Sequence, residues 1–351
     1  MNLSATIRGV VGQLLGVLNT RNKDVISRRF GLKTGKKETL ESIGQSYKIT
    51  RERVRQIEEV SLKQIRQGLS GGLAAKIKPF VDLADNILEQ AGGVAREDHL
   101  FNKFSGIAKD NPANAALVFF LSLNGTFKRF AETDDTHTYW ALSGQHAESF
   151  SKSLSTFLNA LDAQGAPIAE SAVVDFYKKS GASLKEVTPA VVVSYISVSK
   201  NIAKNNFGQM GLTSWADIKP RGVRDKAFLV LKRDGKPKHF RDITQLINAS
   251  GFGDGRKANV QTVHNELIKD KRFVLVGRGL YGLSEWGYKA GTVKDVIVEL
   301  LRSAGQPMHK KEIVTQVLSH RMVKENTILL NLQDPKTFNR KGDGVYALKE
   351  A

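Results

Sequence analysis

Apolar side chains near the start of the chain recur with the spacing of one helix face. The set is Ile7, Val10, Val11, Leu14, Leu15 and Leu18. Steps of three and four residues place these side chains on one side of an α-helix, so the pattern predicts an amphipathic helix rather than a signal peptide. No apolar run anywhere in the chain approaches the ~18–20 residues that a membrane span requires, and we expect no membrane partner.

A second pattern, over residues 39–66, predicts two helices joined by a tight turn. The first helix directs Leu40, Ile43 and Gly44 inward, and the turn follows at Tyr47-Lys-Ile49. Thr50 is a good N-cap for the second helix. The predicted inward positions of that helix are Val54, Ile57, Val60 or Ser61, and Ile65. Two short helices with this turn are typical of a helix–turn–helix.

The opposite face of the second helix carries side chains suited to reading DNA bases. This face holds Arg51, Glu52, Arg55 and Gln56. The first turns of a recognition helix enter the major groove, where Arg pairs with guanine, Gln with adenine and Glu with cytosine. We expect Thr50, Arg53 and Lys63 to contact the phosphate backbone. A solvated, charged surface helix is the alternative interpretation of the same residues.

The remainder of the chain contains a repeat. Gly165-Ala-Pro167, Gly235-Lys-Pro237 and Gly305-Gln-Pro307 lie at a constant interval, each between two helical stretches. In each copy a third helix and a β-hairpin follow, which together predict a winged helix. A weaker copy lies upstream, with its turn at Gly93-Val-Ala95.

The predicted fold is therefore mainly α, with an N-terminal helical helix–turn–helix module followed by tandem winged-helix domains of three helices plus a β-hairpin. The predicted domains are 1–70, 71–145, 146–219, 220–290 and 291–351, of which 71–145 is a degenerate winged helix.

Basic charge is concentrated in two blocks. The net charge is +18 for the whole chain, +8 for residues 1–70, −2 for 71–217, +9 for 218–290 and +3 for 291–351. Lysine and arginine that neutralise phosphates release counterions, so two basic blocks favour double-stranded DNA as the partner. An anionic membrane surface or solubility alone could also account for the charge.

The helix–turn–helix resembles region 4 of primary-type sigma factors of bacterial RNA polymerase, over residues of about 20–68. The resemblance rests on Asp24-Val-Ile-Ser-Arg-Arg-Phe-Gly-Leu32 and Thr50-Arg-Glu-Arg-Val-Arg-Gln-Ile-Glu58. It implies that Arg51, Glu52, Arg55 and Gln56 read a −35 promoter element. It also implies that the module binds the β-subunit flap of core RNA polymerase. Nothing resembles the aromatic-rich helix with which complete sigma factors melt DNA, so the resemblance implies an accessory factor or regulator.

Residues 221–290 resemble the HARE-type winged helix found in the delta subunit of bacterial RNA polymerase. The resemblance rests on Gly235-Lys-Pro-Lys-His-Phe-Arg-Asp-Ile243, Val260–Leu267 and Arg272–Gly279. From their chemistry, we expect a second DNA or partner surface formed by Gln261, Thr262, His264, Asn265, Lys271, Arg272 and Arg278. Local packing or capping by His264 and Asn265 is an equal alternative. His239 and His309 occupy matching repeat positions, which favours a structural role at helix starts.

No residue pattern indicates catalysis. The chain has no cysteine, and neither an H-E-x-x-H zinc motif nor a P-loop string appears in it. Gly277-Arg-Gly-Leu-Tyr-Gly282 has dinucleotide-site spacing, but it leads into a strand and not a helix, so it predicts a hairpin turn. We expect no catalytic residue, metal, cofactor or small-molecule substrate, and a cytoplasmic, nucleoid-associated protein. The alternatives are a specificity module of a restriction-type nuclease and a polymerase-binding scaffold that does not read DNA sequence.

Overall fold

The computed structural model describes residues 3–182, 187–252, 257–288 and 290–349. The chain divides into two compact units. The first comprises Met1–Ala203 and Met210–Thr213, and the second comprises Lys204–Gln209 and Ser214–Ala351.

Helices dominate the first unit. They are α1 (Leu3–Leu15), α2 (Thr20–Phe30), α3 (Leu40–Tyr47), α4 (Arg51–Gly68), α5 (Ala74–Gln90), α6 (Glu97–Ser105), α7 (Pro112–Asn124), α8 (Gly144–Gln164), α9 (Val173–Lys179) and α10 (Pro189–Val198). A π-helical turn, Leu69–Leu73, joins α4 to α5 without a break. The strands are β1 (Val94–Arg96), β2 (Lys128–Phe130), β3 (Tyr139–Ala141), β4 (Ile168–Ala169), β5 (Ile202–Lys204, which crosses the unit boundary) and β6 (Gln209–Leu212).

The second unit repeats the succession of helices and strands that runs from α5 to β6. The helices are α11 (Val223–Asp234), α12 (Phe240–Ala249), α13 (Val260–Lys269), α14 (Val293–Ala304), α15 (Lys310–His320) and α16 (Glu325–Leu332). The strands are β7 (Lys238–His239), β8 (Phe273–Gly277), β9 (Leu280–Leu283), β10 (Met308–His309), β11 (Phe338–Arg340) and β12 (Val345–Leu348).

The order helix, strand, helix, helix, strand, strand occurs four times from α5 onward. In every copy the last strand lies in the middle of a three-stranded sheet, as in the order β7-β9-β8. The mainly α fold with a helical module and winged helices is thus confirmed. The hairpin of each copy was predicted from the sequence, but the short first strand was not. In the third copy this strand pairs antiparallel with the last strand, with Lys238 opposite Tyr281.

The repeated glycines end the first helix of their copies. Gly165, Gly235 and Gly305 adopt left-handed backbone conformations, with φ of 65°, 74° and 63°. Glycine adopts this conformation without a Cβ clash, and the following proline does not continue the helix. His239 and His309 cap α12 and α15, since each ring accepts a hydrogen bond from the backbone amide two residues later. Their predicted role at helix starts is confirmed.

One hydrophobic core joins the helix–turn–helix to the first of the four copies. It includes Leu14 of α1, Ile65 of α4, Leu88 of α5 and Phe119 of α7. The predicted boundary at residue 70 therefore does not separate two cores.

A smaller core holds the helix–turn–helix itself together. Val25, Ile43 and Val54 are fully buried and bring α2, α3 and α4 into contact. A Cβ on Gly44 would lie only 2.7 Å from the backbone oxygen of Ile49, so the turn between α3 and α4 requires glycine there. Among the described residues, no helix is both long and apolar enough to cross a bilayer.

We predict that Gly44→Ala lowers the free energy of unfolding by about 1–3 kcal/mol, because the added methyl group displaces the Ile49 carbonyl. Urea unfolding followed by circular dichroism measures this change. Gly9→Ala on α1 is the matched control, since a Cβ there meets nothing within 4 Å. Equal unfolding midpoints for the two variants would show that the turn tolerates a side chain.

Candidate nucleic-acid interface

Helix α4 begins with the geometry that its sequence predicted. Lys48 takes a left-handed conformation, with φ of 55°, and turns the chain between α3 and α4. The Thr50 side chain then accepts a hydrogen bond from the Arg53 amide and caps α4. Ser61 is fully buried whereas Val60 is 61% exposed, so Ser61 is the inward residue of the two that the sequence left open.

The four predicted base-reading side chains, Arg51, Glu52, Arg55 and Gln56, are all exposed on α4. Arg55 is held by carboxylates of its own helix. Its guanidinium donates to both oxygens of Glu52, at 2.9 and 2.6 Å, and a further nitrogen donates to Glu59. The hydrogen bonds from Arg55 lower the pKa of Glu52, so this carboxyl group is ionised and accepts hydrogen bonds only.

The predicted phosphate contacts, Thr50, Arg53 and Lys63, are exposed as well. Arg53 donates to the Gln56 side-chain oxygen at 3.0 Å. Within the described part of the chain, Arg51 and Lys63 form no ion pair, so both cations are available to an anionic partner.

Ion pairs made by α2 hold the elements of the helix–turn–helix together. The Arg28 guanidinium of α2 forms two hydrogen bonds with Glu38, the shorter of 2.6 Å. Arg29, also on α2, pairs with Glu58 of α4 at 3.0 Å. The hydrogen bonds from Arg28 lower the pKa of Glu38, so the pair is ionised at neutral pH.

The second predicted surface lies on α13 and the β8–β9 hairpin. Gln261, Thr262, Asn265, Lys271 and Arg278 are exposed, and Gln261 donates to the Asn265 side-chain oxygen at 3.1 Å.

Two residues predicted for that surface are engaged elsewhere. The His264 ring stacks on Phe240 at 4.3 Å between ring centroids. Arg272 pairs with Asp225 at 2.8 Å and with Asp270 at 2.7 Å, and lies over the Phe228 ring. Both side chains therefore contribute to packing of this copy.

An apolar groove lies beside the helix–turn–helix, between α1, α2 and the start of α7. Its volume is about 660 Å³, and its apolar walls include Ile7, Val11, Leu15, Leu32 and Ile107. Arg8, Lys23 and Lys33 contribute to its lining as well. A volume of this size accommodates a few large apolar side chains.

Metal-dependent chemistry has no evident site in the regions that the structure describes. No group of three or more histidine, aspartate or glutamate side chains there could hold a metal ion.

Comparison with known proteins identifies the first module. Residues 14–67 match the family model of sigma-70, region 4. These residues form a sigma-70 region 4 domain. The region resembles RNA polymerase sigma factor SigA of Clostridium acetobutylicum, with 39% identity over 82 residues, which are 22% of this chain and 21% of that protein. It also resembles SigA1 of Synechococcus elongatus, with 47% identity over 53 residues, which are 15% of this chain and 13% of that protein.

The chain therefore spans about a fifth or less of the length of these curated relatives. The predicted resemblance to sigma region 4 is confirmed. The family match ends at residue 67, so the HARE-type resemblance of residues 221–290 stays a prediction.

Two features of this interface were not predicted from the sequence. Glu59 was not singled out, although its spacing of four residues from Arg55 on α4 indicates an ion pair. The groove was also missed, because it depends on contact between α1 and residues 107–116, which are remote in sequence.

We predict that Glu38→Gln destabilises the region 4 domain by about 0.5–1 kcal/mol at neutral pH, the range for a partly exposed ion pair. The folded state lowers the pKa of Glu38, so the stabilisation is present above its ordinary value of 4.5. It is lost as the pH falls through the folded-state pKa. The difference between variant and wild type should therefore disappear in acid.

Urea unfolding at neutral pH and near pH 3 measures both effects. Glu148→Gln on α8 is the control, because Glu148 is exposed and forms no ion pair among the described residues. A destabilisation by Glu38→Gln that persists unchanged in acid would contradict the electrostatic origin.

Proposed function

We propose that this protein is a DNA-binding transcription factor that acts with a bacterial-type RNA polymerase, and that α4 reads a −35-like promoter element. The observation that carries the proposal is the exposed face of Arg51, Glu52, Arg55 and Gln56 at the start of α4, within a sigma-70 region 4 domain. The proteins that this domain resembles are RNA polymerase sigma factors by name.

The side chains on this face are suited to different bases. Arg51 is free of ion pairs among the described residues and is the readiest donor to guanine O6 and N7. Gln56 suits adenine, and the ionised Glu52 accepts from cytosine. Arg55 reads a base only after its guanidinium exchanges Glu52 and Glu59 for the DNA, so its contact depends on the correct sequence being present.

Contacts with the phosphate backbone position α4 in the groove. Thr50, Arg53 and Lys63 are exposed polar or cationic groups along the same helix. Residues 1–70 carry a net charge of +8, which favours a polyanion. Binding by such contacts weakens as salt rises, because counterions released from DNA drive it.

The apolar groove between α1 and α2 supports a contact with the polymerase. We infer that it receives an apolar segment of the β-subunit flap, while α4 faces the DNA. Its lining combines apolar side chains with Arg8, Lys23 and Lys33, which suits a segment that is apolar on one side and acidic at its edges. Binding, and not catalysis, is the function that these features support.

We predict that Arg55→Ala costs about 1–3 kcal/mol in binding to the preferred site and relaxes specificity at one base position. Selection from a random duplex pool with core RNA polymerase present identifies the site, and competition titrations give the affinities. Lys63→Ala is the matched control, since loss of a phosphate contact weakens all sequences alike. An equal loss on all sequences for Arg55→Ala would refute base reading, and the absence of any enriched motif would favour a scaffold.

We predict that Ile107→Glu weakens binding to core RNA polymerase at least about tenfold, because a carboxylate replaces an apolar contact in the wall of the groove and must be desolvated when the groove is filled. Ile107 is 51% exposed, so the fold tolerates the change. Surface plasmon resonance with immobilised core enzyme measures the affinity. Val193→Glu on α10, at a residue that is 62% exposed and outside the groove, is the control. Equal affinities for the two variants would place the polymerase contact elsewhere.

A further inference from the structure

The four winged-helix copies differ in what covers their third helix, the element that reads DNA in helix–turn–helix folds. In the first copy this helix is α7. Ten of its side chains are buried, from Ala113 to Leu123, with Ser122 the one exception within that stretch. Phe119 and Phe120 pack against Phe30 and Phe80, with ring centroids 5.1 and 5.3 Å apart. Helix α7 therefore serves as the core of the first unit and offers no face to a groove.

In the second copy the third helix is α10, and most of its side chains are buried. Its Tyr195 hydroxyl donates to the carbonyl of Gly92 at 2.8 Å, and the Ser194 hydroxyl donates to the carbonyl of Val94 at 2.8 Å. A Cβ on Gly92 would lie 2.5 Å from Val191, so the two segments are in close contact. Helix α10 thus packs against β1 of the preceding copy.

In the fourth copy the third helix is α16, and its first turn is exposed. Its outward residues include Glu325, Asn326, Thr327 and Leu330, and Leu330 is 65% exposed. A carboxylate at the start of the helix repels phosphates, and leucine offers no hydrogen bond to a base edge.

Within the described parts of the chain, only the third copy places amides and a lysine together on one exposed face of its third helix. Gln261, Asn265 and Lys269 of α13 follow one another at intervals of four residues, so they share one exposed face. Asn259 caps the helix by accepting from the Gln261 amide at 2.8 Å. The hydrogen bond between Gln261 and Asn265 holds two amide side chains side by side, and amides are suited to adenine.

The electrostatics of this copy favour a polyanion. Several of its acidic side chains pair internally: Asp225 and Asp270 with Arg272, Asp234 with Lys238, and Glu266 of α13 with Arg224 at 4.0 Å. Asp242 and Glu285 are exposed. Lys269, Lys271 and Arg278 are exposed and, among the described residues, form no ion pair. Arg278 lies in the tight turn of the β8–β9 hairpin, beyond the end of α13. Residues 218–290 carry a net charge of +9, so positive charge predominates in this copy.

We propose that α13 and the β8–β9 hairpin form a second duplex-DNA contact, in which Lys269, Lys271 and Arg278 hold phosphates and Gln261 and Asn265 face the bases. The first two copies use the equivalent helix to build the protein core. This contact adds a second DNA-binding surface to the function proposed for α4. All the residues that form it lie in the second unit.

The test compares two triple variants of the full chain that remove the same charge. Lys269→Ala/Lys271→Ala/Arg278→Ala changes the proposed surface. Lys336→Ala/Arg340→Ala/Lys341→Ala changes three exposed cations in the fourth copy, after α16. Fluorescence anisotropy with a fluorescein-labelled duplex of arbitrary sequence, at several KCl concentrations, gives the dissociation constant and its salt dependence. Thermal unfolding checks that both variants are folded.

We expect the α13 variant to bind at least about tenfold more weakly at low salt. The slope of log affinity against log salt should fall by about 2–3, since each lost phosphate contact removes ~0.9. The fourth-copy variant should keep the wild-type slope. Equal slopes for the two variants would overturn the proposal, as would an α13 variant that keeps duplex binding but loses core RNA polymerase.

A third variant separates this proposal from the function assigned to α4. Arg51→Ala/Arg55→Ala removes base contacts of the region 4 domain only. If this variant leaves the motif selected from a random pool unchanged, the function proposed for α4 fails. The difference between the two triple variants in the slope of log affinity against log salt would still show whether α13 contacts DNA.

Discussion

Burial of α7 is the constraint on which the first unit depends. Its sequence, Pro-Ala-Asn-Ala-Ala-Leu-Val-Phe-Phe-Leu, is apolar on every side, and such a helix is stable only when other elements enclose it. Helices α1, α2, α4 and α5 supply the enclosing surface, and Arg66 of α4 donates to the carbonyl of Ser122 at 2.9 Å. The region 4 domain therefore packs against α7 and its neighbours, and packing on this side determines which face of α4 is exposed.

Local signals in the sequence were sufficient for most of the fold. Thr50, the Gly-x-Pro turns and the Gly277–Gly279 hairpin act within a few residues, and each produces the element that it predicts. The short strand β7 was not predictable in this way. It has only two residues, and its strand character comes from pairing with β9 about forty residues later. The shared core of α1 and α7 is equally non-local, so it left no mark in any local pattern.

In the candidate site, too, local features were predictable from the sequence and non-local ones were not. Helical periodicity alone placed Arg51, Glu52, Arg55 and Gln56 on the exposed face of α4, and the structure agrees. Residue type obscured the choice between Val60 and Ser61, because the polar Ser61 is fully buried and the apolar Val60 is 61% exposed. Periodicity could not show that Arg272 is occupied, since Asp225 is remote in sequence. Exposure can be inferred from spacing, whereas the freedom of a charged group depends on tertiary neighbours.

The uninterrupted passage from α4 through the π-helical turn into α5 has a geometric consequence. A helix turns by roughly 100° and advances ~1.5 Å with every residue. The number of residues in this joint therefore sets the angle, about the axis of α4, between the exposed face of α4 that carries Arg51 and Arg55 and the position of α5 with its partners. A gain or loss of a single residue in this joint would rotate one side by about a right angle with respect to the other.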